Sequence, residues 1–236
     1  MRKWIHILLG FSGAFALMIT LLITSVEAVT YWTPGYYEKE YRKYHVLEAV
    51  QMEMEDLLDV TDEMMSYLRG GREDLHVPTI VNGQPREFFS EREIAHMEDV
   101  RGLFLGAIAI RRGCVLIILA VLALLFLTRA DIRYILPRTV CAGTILFFAL
   151  MAILAAIISS DFSRYFIVFH HIFFNNDLWM LDPSTDLLIN IVPEPFFMDT
   201  AARIGITYGI SVAAVFSLCL AGIFLTRRKN SFLQHL

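Results

Sequence analysis

Four runs of apolar residues, each long enough to cross a lipid bilayer, govern what this chain of 236 residues can fold into. A spanning helix needs about 20 largely apolar residues, and helices satisfy the backbone polar groups that lipid cannot. The runs predict transmembrane helices over residues 4–25, 111–128, 139–159 and 201–226. The first follows Arg2 and Lys3. It is longer than a secretory core of ~7–15 residues, so it reads as an uncleaved anchor, although Val26-Glu27-Ala28 faintly resembles a processing site. The second is short from Gly113 to Leu127 and gains length if the stems of Arg111 and Arg112 snorkel to the headgroups. Hydrophobic residues make up 56% of the chain and charged ones 19%, which excludes a disordered chain and a basic nucleic-acid binder. Cys114, Cys141 and Cys219 all lie in apolar stretches, which excludes a disulfide-stapled secreted domain.

Lys and Arg near the span ends set the orientation. Arg2, Lys3, Arg129, Arg133, Arg138, Arg227, Arg228 and Lys229 fall on one side with a single acid, Asp131, a net +7. That side, holding both termini, is expected to be cytoplasmic. The other side carries −11, so the modest total of −4 conceals a strong polarity.

The outer segments, residues 26–110 and 160–200, read as folded. Leu47, Val50, Met54, Leu57, Met64 and Leu68 recur at helical spacing, and Gly70-Gly71 would stop that helix. Asn82-Gly83 between short strand-like runs signals a hairpin. Ser90-Glu91-Arg92-Glu93 is a capping box that opens a further helix. The expected architecture is a membrane all-α core of four transmembrane helices with a small α+β extracellular cap.

Two outer segments hold the candidate chemistry. A helix over 162–174 would carry Phe162, Tyr165, Phe166, Phe169 and Phe173 on one stripe, with His170 on its shoulder and His171 nearly opposite. Such a stripe also suits a plain interfacial aromatic belt, but His170 and the following Asn175, Asn176, Asp177 and Asp182 are polar groups that need partners at a membrane boundary. In the helix after Ser90, His96 has Asp99 one turn later, a carboxylate able to fix its tautomer; a solvated helix surface with Glu93, Glu98 and Arg101 accounts for the same pattern. No phosphate loop, nucleophile elbow, Cys-x-x-Cys or His-Glu-x-x-His occurs, and Asp182 to Asp186 reads as a turn bonding its own backbone. The histidines and aspartates match no metal-ligand spacing, so no metal or other cofactor is expected.

Three stretches carry a resemblance: Tyr31-Trp-Thr-Pro-Gly-Tyr-Tyr-Glu-Lys-Glu-Tyr, Phe88-Phe-Ser-Glu-Arg-Glu-Ile-Ala-His-Met-Glu-Asp-Val-Arg, and Phe169-His-His-Ile-Phe-Phe-Asn-Asn-Asp-Leu-Trp-Met-Leu-Asp-Pro. With the four-span layout, the whole chain resembles the bacterial lipoprotein intramolecular transacylase family. The resemblance implies a multi-pass protein of the bacterial cytoplasmic membrane with its active site on the outer face. It implies movement of an acyl chain from the sn-2 position of the glyceryl group to the α-amino group of the N-terminal cysteine, giving a lyso-form lipoprotein. The partners would be a diacylated lipoprotein and membrane lipids, without nucleic acid; no motif specifies an oligomeric state. Residue matching makes His96 and His170 catalytic, and Asp99, Phe169, Phe173, Asn176, Asp177, Trp179 and Asp182 supporting or substrate-positioning. The expected division of labour has His96, backed by Asp99, as base and His170 as acid or oxyanion donor, with the reverse open. The alternatives are a metal-dependent membrane lipid hydrolase and a non-catalytic membrane chaperone or sensor. A straight helix into the second span would lift His96 ~20 Å above Arg111, so a bend is expected at Gly102 or Gly106.

Overall fold

The computed structural model describes the backbone of residues 2–233 and the side chains of 3–226; Arg2, Arg227, Arg228 and Lys229, used above for orientation, lie outside the described side chains, and His235 outside the described residues. In chain order the elements are α1 (Arg2–Tyr31), α2 (Tyr36–Lys43), α3 (Val46–Val50), α4 (Met54–Leu68), β1 (Pro78–Val81), β2 (Gln84–Glu87), α5 (Glu91–Leu127), α6 (Ile132–Ser160), α7 (Phe162–Phe173), α8 (Leu188–Ile191) and α9 (Glu194–Leu233). Four of them, α1, α5, α6 and α9, are long and apolar enough to cross a membrane. The chain divides into two compact units, one of residues 1–26, 109–160 and 204–236, the other of 27–108 and 161–203.

The first unit is a helical bundle. Gly10 and Ala14, one turn apart on α1, meet Thr139 and Gly143, one turn apart on α6. A Cβ added at Gly10 would lie 2.5 Å from the Thr139 hydroxyl, and one at Gly143 would lie 2.8 Å from Ala14 Cβ. Small residues at this spacing let helix backbones approach closely, the main source of attraction between helices in lipid. Farther along, Met18, Phe147, Tyr208 and Val212 form a buried cluster joining α1, α6 and α9. α6 begins at Ile132, seven residues before the expected span, and accommodates Pro137.

The second unit is α+β. β1 and β2 pair antiparallel with Val81 opposite Gln84, and Asn82 and Gly83 both take positive φ, 51° and 68°, as a two-residue type I′ turn requires. The single helix expected over 47–68 is two. Gln51 turns left-handed (φ 55°) after α3, and its carbonyl accepts the Asn82 N–H at 2.9 Å. The hairpin tip therefore docks on the break, a long-range partner that hydrophobic spacing does not reveal. Gly70, at φ 83°, follows α4.

The reorientation expected near Gly102 and Gly106 does not take the form of a break: α5 is one continuous helix of 37 residues. At 1.5 Å per residue it is ~55 Å long, well beyond the ~30 Å of hydrocarbon. Its first turns, Glu91 to Arg101, carry the charged residues and stand outside the apolar stretch that starts at Leu103. α9 likewise starts at Glu194, ahead of the expected span. The helices outrun the spans because helix continuity needs only backbone bonding, whereas a span is set by apolar length.

The close contact between α1 and α6 predicts that Gly143→Val lowers the thermal unfolding midpoint of detergent-purified protein by several degrees. Ala213→Val, at an exposed position of α9, should leave it within about one degree.

Candidate active site

Ser90 opens α5 with the expected reciprocal cap: its N–H donates to Glu93 Oε2 (2.6 Å) and its hydroxyl accepts the Glu93 N–H (3.3 Å). Glu93 then reaches further, its Oε1 accepting the Leu188 N–H at 2.6 Å. Ser90 Oγ lies 3.3 Å from Asp186, whose second oxygen accepts the Asp182 N–H at 2.8 Å. These bonds tie the start of α5 to the loop between α7 and α8. Arg92 adds a bond to the Asp177 carbonyl at 2.6 Å.

The same loop begins at the end of α7. Asp161 caps α7 by accepting the Arg164 N–H, and the helix presents Phe162, Phe166 and His170 at four-residue spacing. His170 is buried at 7% exposure, while His171 is exposed. His96, on α5, is equally buried at 8%. The two imidazoles face each other with centroids 6.3 Å apart. Phe174 sits against both, 5.3 Å from His96 and 5.6 Å from His170. Phe166 packs edge-on to His170 at 4.4 Å, and Trp179 stacks on it at 4.7 Å.

His170 Nδ1 lies 2.7 Å from the Phe166 carbonyl. A carbonyl only accepts, so Nδ1 carries the proton and the neutral ring keeps its lone pair on Nε2. Burial lowers the pKa of His170; the Phe166 bond opposes that, and nearby His171 adds to it. Burial pushes His96 down to about 4, reinforced by His170 and opposed by Asp99. Both rings are therefore neutral at pH 7. His96 Nδ1 is buried and has no hydrogen-bond partner among the described residues, an arrangement that buried polar atoms rarely keep without a function.

Asp99 does not bond His96. Its Oδ2 accepts from Asn176 Nδ2 at 2.8 Å, so it acts on His96 only through its charge. Asn176 in turn accepts the Trp179 indole N–H on its carbonyl (3.1 Å) and the Leu178 N–H on its side chain (3.1 Å). Asp99, Asn176 and Trp179 thus form a chain that ends on the face of His170. Phe169 and Phe173 lie on the exposed side of α7, 4.7 Å apart, with Phe169 edge-on to His170. Asp177 contributes its backbone carbonyl. Asp182 is exposed and caps its own turn, accepting from the Ser184 N–H and hydroxyl, which lower its pKa; it bonds neither histidine. Among the described residues no three His, Cys, Asp or Glu side chains gather as a metal site would require. The sequence places Phe166 on the aromatic stripe but does not show its bond to His170, and Phe174 lies outside that stripe, on the four-residue row through His170.

A family model described as lipoprotein intramolecular transacylase Lit matches residues 11–197. The chain belongs to that family. It is an acyltransferase, and lipoproteins are the substrates of the family. Similar solved structures include the membrane-integral lipoprotein intramolecular transacylase Lit from Bacillus cereus. That structure is 21% identical over 96% of this chain and 99% of its own, with a TM-score of 0.78. A variant of it with a histidine replaced by arginine is 20% identical over 97% and 96% of the two chains, also at 0.78. At this identity the likeness is one of fold. Comparison with curated protein sequences finds no match. Within the transacylase family match fall all the histidine, asparagine, aspartate and tryptophan side chains described above.

Proton NMR of the imidazole signals should place the His96 midpoint near 4, far below the ~6.5 of a free histidine. Asp99→Asn removes a charge that favours the imidazolium and should lower that midpoint further; a midpoint near 6.5 would contradict the burial. Because the folded value lies below the unfolded one, stability from neutral His96 is complete above pH ~6.5. It is lost as pH falls from there toward 4.

Proposed function

We propose that this transacylase moves the sn-2 acyl chain of a diacylglyceryl cysteine onto the α-amino group of the same cysteine, with His170 and His96 as the catalytic pair. The observation that carries the reading is a pair of buried, neutral imidazoles facing one another between aromatic rings, one with its tautomer fixed. The substrate class follows from family membership. The charge distribution supports cytoplasmic termini and a site on the outer face of the bacterial membrane, in the cap formed by the second unit.

The reaction exchanges an ester for an amide, a downhill change that needs no ATP. The attack closes an eight-membered ring of nitrogen, Cα, Cβ, sulfur, thioether carbon, glyceryl C2, ester oxygen and acyl carbon. Such rings close poorly because several torsions must be fixed together. Holding them in near-attack geometry can contribute ~7–11 kcal/mol, and aromatic faces restrict the chains without competing for hydrogen bonds.

The tautomer favours the reverse of the first-named division of labour, with His170 as base and His96 as oxyanion donor. The amine nitrogen attacks the acyl carbon, forming the C–N bond and placing charge on the carbonyl oxygen. His170 Nε2 takes the amine proton, and the resulting imidazolium strengthens its Nδ1–H bond to Phe166. When the tetrahedral species collapses, the bond from acyl carbon to glyceryl oxygen breaks. His170 returns the same proton to that oxygen, so the enzyme ends as it began. His96, too hard to protonate to serve as base, donates a hydrogen bond from its neutral ring to the oxyanion. Trp179, held by Asn176 and Asp99, keeps the His170 ring in plane.

The test is expression of single variants in cells lacking the enzyme, with mass spectrometry of the lipoprotein N-terminus and initial rates on a defined diacylated lipopeptide. His170→Ala and His170→Gln should both lose ~10²–10⁴-fold. His96→Ala should lose ~10²–10³-fold, whereas His96→Gln, which keeps an N–H donor, should recover part of that loss. His171→Ala should stay within about twofold of wild type. Normal lyso-form product from His170→Ala would overturn the assignment; equal loss in His96→Ala and His96→Gln would remove the donor role.

A further inference from the structure

The second unit also carries an open-sided hollow of about 540 Å3 that neither His96 nor His170 lines. Its walls come from the end of α1, the turn over 32–35, the start of α2 and one stripe of α4: Leu58, Asp62, Met65, Ser66 and Arg69. Three of its lining groups are charged. Glu38 is paired with Arg42 at 2.8 Å. Asp62 and Arg69 have no ion pair among the described residues. They stand two turns apart on the same face of α4, roughly 10 Å along its axis. The hollow therefore presents an exposed carboxylate and an exposed guanidinium in line, neither in an ion pair among the described residues, with Tyr31, Tyr36 and Tyr37 among its walls.

The two charges differ in their surroundings. Tyr31 is the last residue of α1, a helix whose hydropathy suits a membrane span, and exposed Trp32 follows it. Tyr and Trp at a span end settle at headgroup level. Tyr31 packs edge-on to Phe104, 6.4 Å away, where the apolar part of α5 begins, and a Cβ on Gly70 would meet Leu105 at 3.3 Å. The Arg69 guanidinium lies over the Tyr31 ring at 5.6 Å. The arginine end thus sits beside residues at the rim of the apolar layer, and Asp62 lies two turns back along α4 from it.

We propose that this hollow binds the headgroup of a phospholipid from the leaflet where α1 ends. The phosphate would meet Arg69 and a protonated amine would meet Asp62, a phosphoethanolamine type of head. A guanidinium matches a phosphodiester through paired N–H bonds, and the Asp62 carboxylate offers a counter-charge to an ammonium. A head bearing only hydroxyl groups would leave Asp62 without a counter-charge. A soluble peptide would gain nothing from having its anionic group at the edge of the apolar layer. The inference is independent of the acyl-transfer chemistry and requires only that α1 crosses a bilayer.

The experiment is native mass spectrometry of detergent-purified, delipidated protein offered phosphatidylethanolamine or phosphatidylglycerol. The ethanolamine lipid should be retained about tenfold better. Arg69→Ala should lose both lipids, and Arg69→Gln repeats the test should the alanine variant fail to fold. Asp62→Asn should keep binding but erase the preference, and His96→Gln should bind as wild type. Glycerophosphoethanolamine, the same head without chains, should displace the lipid only weakly. Unchanged retention in the Arg69 variants, an intact preference in Asp62→Asn, or ready displacement by glycerophosphoethanolamine or a soluble peptide would overturn the proposal.

Discussion

Glu93 is almost fully buried, at 1% exposure, and each of its oxygens holds a backbone N–H that would otherwise be left unsatisfied. One belongs to Ser90 at the mouth of α5 and the other to Leu188, far along the chain. The carboxylate is at once a helix cap and a long-range anchor, and the site depends on both. α5 carries His96, and the anchored loop carries Asn176 and Trp179. Removing the acceptor would orphan the buried Leu188 N–H, at ~1–3 kcal/mol, leave the half-buried Ser90 N–H without its cap, and release the loop that orients His170.

The histidines are kept neutral by desolvation rather than by a charged partner. Aromatic rings exclude water from both, which favours the uncharged form of each imidazole. Each also disfavours a second positive charge beside it, as the effect of His170 on His96 illustrates. A neutral pair serves as proton acceptor and hydrogen-bond donor at the same pH, and the difference between them rests on one short bond from His170 to the Phe166 carbonyl. That bond is internal to α7, four residues back, so the helix that delivers the catalytic ring also sets its tautomer.

Features with local causes are legible in the sequence. Asn82-Gly83 marks a turn because both positions need positive φ, and Ser90 and Glu93 mark a helix start because each satisfies the other's N–H. The aromatic spacing after Phe162 marks a helix that turns His170 inward and His171 outward. Features with distant causes are not legible. The break at Gln51 depends on Asn82, thirty-one positions later in the chain, bonding its carbonyl. Asp99 is well spaced to meet His96 along the helix, yet Asn176 arrives from another segment and takes its oxygen. Gly102 and Gly106 read as places to break the chain, yet the helix runs through both.

The sequence by itself determined four long apolar helices, the capped start of α5 and the inward face of α7, since bilayer length, backbone bonding and helical periodicity act within a few turns. Only the tertiary structure decided that His96 and His170 meet across Phe174 and that Asp99 supports Trp179 through Asn176. Those outcomes hang on hydrogen bonds between segments 77 to 96 residues apart, whose partners are chosen by folding and not by any local spacing.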